Sequence, residues 1–204
     1  MKKLMSIVCI GCFCAFTACN SGSSNGDSLD SAKDANDSMM QDSNSMMNGD
    51  TSSMNNMSSA PVSQEDADWA ATVANANMTE VELSKVANDK ATNERLKSFA
   101  SMMIADHTQA GDKLKQMAAA KNITLPANLD DKSQKKLDEL NKKTGKDFDK
   151  AYTDDMLDDH KDAIKLFQKG STDLKDADLK GFATQTLPTL QVHQDSIKSI
   201  SGKK

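Results

Sequence analysis

Met103-Ile104-Ala105-Asp106-His107-Thr108-Gln109-Ala110 recurs fifty-three positions later as Met156-Leu157-Asp158-Asp159-His160-Lys161-Asp162-Ala163. Both copies read Met-x-x-Asp-His-x-x-Ala, and an aromatic residue, Phe99 or Tyr152, lies four positions before each Met. On an α-helix, residues three and four apart share a face. Phe99, Met103, His107 and Ala110 therefore form one stripe, and Tyr152, Met156, His160 and Ala163 form a second. Each stripe is apolar except for one imidazole. The third and last histidine of the chain, His193, falls in a similar pattern with Leu190, Ile197 and Ile200.

Working outward, the same periodicity marks four long helices. Ser63 is an N-cap candidate with Asp66 three residues on, close to a capping box. From there Trp69, Val73, Ala76, Glu80, Leu83 and Ala87 carry a first helix to about Asn88. Thr92 or Asn93 opens a second, running through Leu96, Phe99, Met103, His107, Ala110, Leu114 and Met117 to about Lys121. Pro126 marks a connection, and a shorter helix over about 131–143 is expected to stop at Gly145, a favourable helix C-terminal residue. The third long helix carries Phe148, Tyr152, Met156, His160, Ala163 and Phe167 and ends at Gly170. The fourth carries Leu179, Phe182, Thr186, Leu190, His193 and Ile197, with Pro188 inside it and a kink expected there. No stretch alternates with period two, which argues against strands. The expected fold is all-α, an antiparallel four-helix bundle with a short extra helix between the second and third.

The 204-residue chain allows one domain with appendages. Residues 1–18 read as a lipoprotein signal peptide: Lys2 and Lys3, an apolar run from Leu4 to Phe16, then Thr17-Ala18-Cys19. Cys19 would carry the lipid and tether the chain to a membrane without a spanning helix. The four cysteines all lie at or before position 19, so no disulfide or thiolate site follows it. Residues 19–63 are rich in Ser, Asn, Asp, Gly and Met and read as a disordered tether, too poor in apolar surface to offset the entropy of ordering. Six methionines cluster there, at Met39-Met40, Met46-Met47, Met54 and Met57, and thioethers are soft ligands suited to Cu(I). The domain proper spans 64–201.

In sequence order, Thr79 to Ala87, Lys97 to Ala100 running into Met103 to His107, Ile123 to Pro126, Phe148 to Tyr152, Met156 to His160, and Leu187-Pro188 followed by His193 carry a resemblance. Together they resemble the exported bacterial family called domain of unknown function four-one-four-two, over about residues 64–201. Its members are commonly labelled outer-membrane proteins and assigned a ferritin-like fold. The resemblance thus implies a ferritin-like bundle in the cell envelope, the domain facing the periplasm. It implies no reaction.

Net charge is −5, and no basic stripe with interleaved aromatics occurs, which excludes the usual nucleic-acid footprint. Catalytic templates fail in turn: there is no Gly-rich phosphate loop and no Gly-x-Ser-x-Gly elbow. Asp154-Asp155 and Asp158-Asp159 read as a solvated helix face. A di-iron centre of the ferritin type needs Glu-x-x-His pairs, and the chain has none. A non-enzyme is expected.

The inward ionisable groups remain: Glu80, His107, His160 and His193, one on each long helix. Bundles build metal sites this way, and this donor set suits a single Zn, Cu or Fe ion. Asp106 and Asp159 lie about 100° round their helices from the histidines, placed to act as outer acceptors for a neighbouring helix's imidazole. Counting from the turn, Glu80 and His107 differ in height by roughly 7 Å, which weakens Glu80 as a partner. In the competing reading each histidine bonds an Asp or a backbone carbonyl and fixes register as a buried polar group. Three functions therefore stay open: a non-catalytic envelope lipoprotein serving stress protection or envelope interactions, a periplasmic transition-metal binder, or a groove for a protein partner of unknown identity.

Overall fold

The computed structural model describes residues 27–46 and 62–202. Among them lie six helices and no strand: α1 (Ser28–Met46), α2 (Gln64–Lys90), α3 (Glu94–Ala120), α4 (Asp131–Asn141), α5 (Gly145–Asp173) and α6 (Ala177–Ser201). α2, α3 and α6 start where the sequence supplies acceptors for free backbone N–H groups. Ser63 Oγ accepts from the Asp66 amide, Asn93 from Arg95, and Asp176 from Asp178 and Leu179.

α2 packs on α3 and α5, and α6 packs on α5 and α3, closing a ring of four. Their directions follow from two apolar clusters. Trp69, Val73, Leu114, Phe167, Phe182 and Leu190 belong to one; Leu83, Phe99, Met103, Tyr152, Met156 and Ile197 belong to the other. α2 and α6 run from the first cluster to the second, and α3 and α5 run back. Neighbours in the ring are therefore antiparallel, as the tight turns at 91–93 and 174–176 require. α3 and α5, however, run the same way. Their connection must return along the bundle, and residues 121–144, with α4 lying on α2 and α5, do so.

Where a carboxylate is buried it ties elements together. Asp66, 1% exposed, accepts from the Asp176 amide at 2.6 Å and the Lys175 amide at 3.2 Å, joining the start of α2 to the α5–α6 turn. Trp69 donates to the Leu166 carbonyl at 3.2 Å and meets Phe167 and Phe182 edge-on.

Three expectations change. Residues 28–46, read as part of a tether, form α1 against α2. Ala32 and Asn36 are buried one turn apart, Met40 packs against the first cluster, and Asn36 makes paired bonds with the Thr124 backbone, accepting at 2.7 Å and donating at 3.0 Å. A composition argument counts apolar area and overlooks an amide that pairs with backbone. Cys19 as the lipidated residue, the signal peptide at 1–18 and the methionines from Met47 to Met57 lie outside the described residues. Gly145 does not end α4; it opens α5 with φ +58°, a conformation that favours glycine. Gly170 does not end α5 either: it lies under the Trp69 ring, where a Cβ would come within 2.7 Å of Nε1.

Gly170→Ala should therefore cost about 1–3 kcal/mol by overpacking. Gly181→Ala, with open space at that Cβ, should stabilise by about 0.5–1 kcal/mol. Thermal unfolding of the two variants checks both signs. Asn36→Ala should speed amide hydrogen exchange across α1 while leaving α2–α6 protected, as read by mass spectrometry.

Candidate metal centre

Between the two apolar clusters every ring helix contributes a polar side chain. α2 supplies Asn77 and Glu80, α3 Asp106 and His107, α5 His160, and α6 His193. Glu80 and all three histidines are buried. One ring nitrogen from each histidine lies within 4.8 Å of the others. Ring centres are 5.3 Å apart for His107–His193, 5.4 Å for His160–His193 and 5.9 Å for His107–His160. An ion about 2.1 Å from three imidazole nitrogens at tetrahedral angles sets ring centres about 5 Å apart. The observed triangle is close to that size.

The outer nitrogen of each ring is already engaged. His160 Nδ1 lies 2.9 Å from the Met156 carbonyl, which can only accept, so Nδ1 carries the proton. His193 Nε2 donates to Asp106 Oδ2 at 2.8 Å. His107 Nδ1 donates to Asn77 Oδ1 at 3.1 Å and lies 3.1 Å from Glu80 Oε2. These bonds fix the tautomers. The remaining nitrogens, His107 Nε2, His160 Nε2 and His193 Nδ1, are left as lone pairs, buried and without a hydrogen-bond partner. A buried acceptor without a partner is costly, and here three clustered rings each leave one.

Protonation does not relieve His107 or His160 at neutral pH. Burial, then the neighbouring His160 and His193, lowers His107 to about 3. Burial and His193 lower His160 to about 4, against the pull of its bond to the Met156 carbonyl. Burial, followed by the charge of Asp159, raises Glu80 well above the ordinary carboxylate range, with Lys136 opposing. Both shifts disfavour the charged forms and so weaken any ion pair between Glu80 and His107.

The sequence-derived residues fall into distinct places. His107, His160 and His193 come together. Asp106 reaches across from α3 to the imidazole on α6. Glu80 stands at the same level as His107 despite its different count from the turn. Side chains lean toward the N-terminus of their own helix, so on antiparallel helices Glu80 leans away from the turn, His107 leans toward it, and the two meet. Glu80 lies on the Nδ1 side of both His107 and His160, 3.1 Å and 3.5 Å away. Asp159 meets no histidine; Lys136 on α4 holds it at 2.5 Å. Asn77 was not expected. Gly111 carried its signal: one turn beyond His107, it leaves the space that Asn77 fills, and a Cβ there would lie 2.7 Å from Asn77 Nδ2.

The chain belongs to the family described as Domain of unknown function (DUF4142), matched over residues 51–200. No curated protein and no solved structure matches it.

The metal-free chain should show a pH signature. Unfolded histidines take up protons near pH 6.5, whereas buried His107 and His160 do so only near 3 and 4. Between those limits the unfolded state binds more protons, so stability falls as pH drops. The stability difference between the chain and His107→Gln/His160→Gln should be flat above about pH 6.5 and shift below it against the parent by up to about 1.4 kcal/mol per pH unit per histidine. Urea unfolding in chelator from pH 4 to 8 measures it.

Proposed function

We propose that this protein binds a single transition-metal ion, Zn²⁺, copper or Fe²⁺, through His107, His160 and His193. One observation carries the reading: three buried imidazoles bring one ring nitrogen each within 4.8 Å of one another, and each ring has one nitrogen bonded and the other buried without a partner. Neutral imidazole suits these ions, and outer bonds of this kind raise ligand basicity. Loading would draw the nitrogens toward the about 3.4 Å spacing of a tetrahedral set. Glu80 and Asp106 act behind the imidazoles rather than on the ion.

In this reading the domain is a non-catalytic, ferritin-like four-helix bundle. The parallel run of α3 and α5 with one long crossover supports that arrangement. The site is mononuclear, unlike a carboxylate-rich di-iron centre. The basic start, the apolar run and Ala18-Cys19 support export and a lipid anchor in the outer membrane, with the domain in the periplasm. No described helix is long and apolar enough to cross a membrane. A role in stress protection would then rest on holding a reactive metal.

A second reading has its own observation. The bonds from His160 to the Met156 carbonyl and from His193 to Asp106 are also what a purely structural polar layer would make. Elemental analysis of the full chain, purified without a histidine tag and offered each ion in turn, separates the two. The expected result is one ion per chain, with thermal stabilisation of about 2.7 kcal/mol at 100 times Kd. His107→Ala/His160→Ala should hold none, and Asp106→Asn should bind about 10–100-fold more weakly. A folded chain that takes up no ion would leave the structural reading standing.

A further inference from the structure

Resting on the metal-binding reading, we infer that the ion keeps one coordination position open to a small uncharged molecule of two or three atoms, of the carbon monoxide and dioxygen class. Structural zinc sites close with four protein donors, whereas sites with three protein ligands leave a fourth position to water or an exogenous ligand. Here the histidine donors are three. Glu80 Oε1 is also buried without a hydrogen-bond partner, but it lies 3.5 Å from His160 Nδ1, the nitrogen held by the Met156 carbonyl, and Glu80 Oε2 and Asn77 contact His107 Nδ1.

A cavity lies beside two of the three histidines. It has a volume of about 40 Å³, and His107 and His193 contribute to its wall with Asn77, Glu80 and Asp106, beside Val73, Leu114, Phe167 and Leu190. Room for one water takes about 10–15 Å³, and a dry apolar cavity that admits benzene is about 150 Å³. A few atoms fit; an organic ring does not.

Charge narrows the class further. No Lys or Arg lines the cavity, while the Glu80 and Asp106 carboxyl groups do. An anion entering it would lose hydration without meeting a cation. The Thr186 hydroxyl, also in the wall, is already committed to the Phe182 carbonyl at 2.8 Å. An uncharged molecule pays no such penalty and gains contact with the apolar wall. Binding would be a dative bond from ligand to ion, with no atom transferred.

The full chain loaded anaerobically with Cu(I), then exposed to carbon monoxide, tests this by infrared spectroscopy. One C–O stretching band per bound copper is expected. Ala110→Leu, which extends a wall residue into the cavity, should keep its copper content and lose at least tenfold in carbon monoxide affinity. Azide added to the Cu(II) form should bind at least tenfold more weakly than to Cu(II) held by three free imidazoles. Stoichiometric copper with no C–O band would overturn the open position and leave metal binding intact. Azide binding undiminished would overturn the uncharged class. A chain that takes up no copper or other ion fails the metal reading itself, and this inference with it.

Discussion

The structure turns on a layer of polar side chains held between two apolar clusters. A helix bundle of this size could be filled by hydrocarbon alone. Instead, Glu80, Asn77, His107, His160 and His193 interrupt the core, and each is placed by a bond that leaves little freedom. Buried polar groups in low dielectric are favourable only when satisfied. The outer side of this layer meets that requirement through a carbonyl, a carboxylate and an amide. The inner side does not. That asymmetry is the physical content of the site, because a purely structural network would be expected to satisfy these three nitrogens as well.

The surrounding packing is arranged to hold the layer in register. Short turns pair α2 with α3 and α5 with α6, and Asp66 fastens the start of α2 to the α5–α6 turn. Trp69 pressed onto Gly170 sets the distance between α2 and α5 near one end, and the Ser84–Tyr152 hydroxyl pair, at 2.9 Å, does so on the other side of the layer. A slip of one helical turn on α3, α5 or α6 would carry an imidazole into hydrocarbon, and one on α2 would carry Glu80 there. The close approach at Gly111 gives Asn77 its place against His107.

Much of this was legible in the sequence, for reasons particular residues make plain. The repeated Met-x-x-Asp-His-x-x-Ala stripes announced two inward histidines because helical period is a strong, local signal. Ser63, Asn93 and Asp176 mark helix starts because capping is also local. Glu80 is harder to place: height along the axis alone sets it off the His107 level, and only the lean of side chains on antiparallel helices brings the two together. Asp159 looked equivalent to Asp106 by repeat, yet α4 brings Lys136 to it, a tertiary fact that no repeat encodes. α1 was hidden by composition, since its attachment depends on Asn36 pairing with backbone eighty-eight residues away.

The distribution of the histidines along the chain has a consequence for folding. One lies on the α2–α3 hairpin and two on the α5–α6 hairpin, separated by the long crossover. Neither hairpin alone holds the triangle, so the site exists only once the halves have docked. An ion bound there would act as a staple between them, closing loops of fifty-three and thirty-three residues. The entropy such a clip removes from the open chain grows with the logarithm of loop length. The longer span, the one containing the crossover, is where it would hold most.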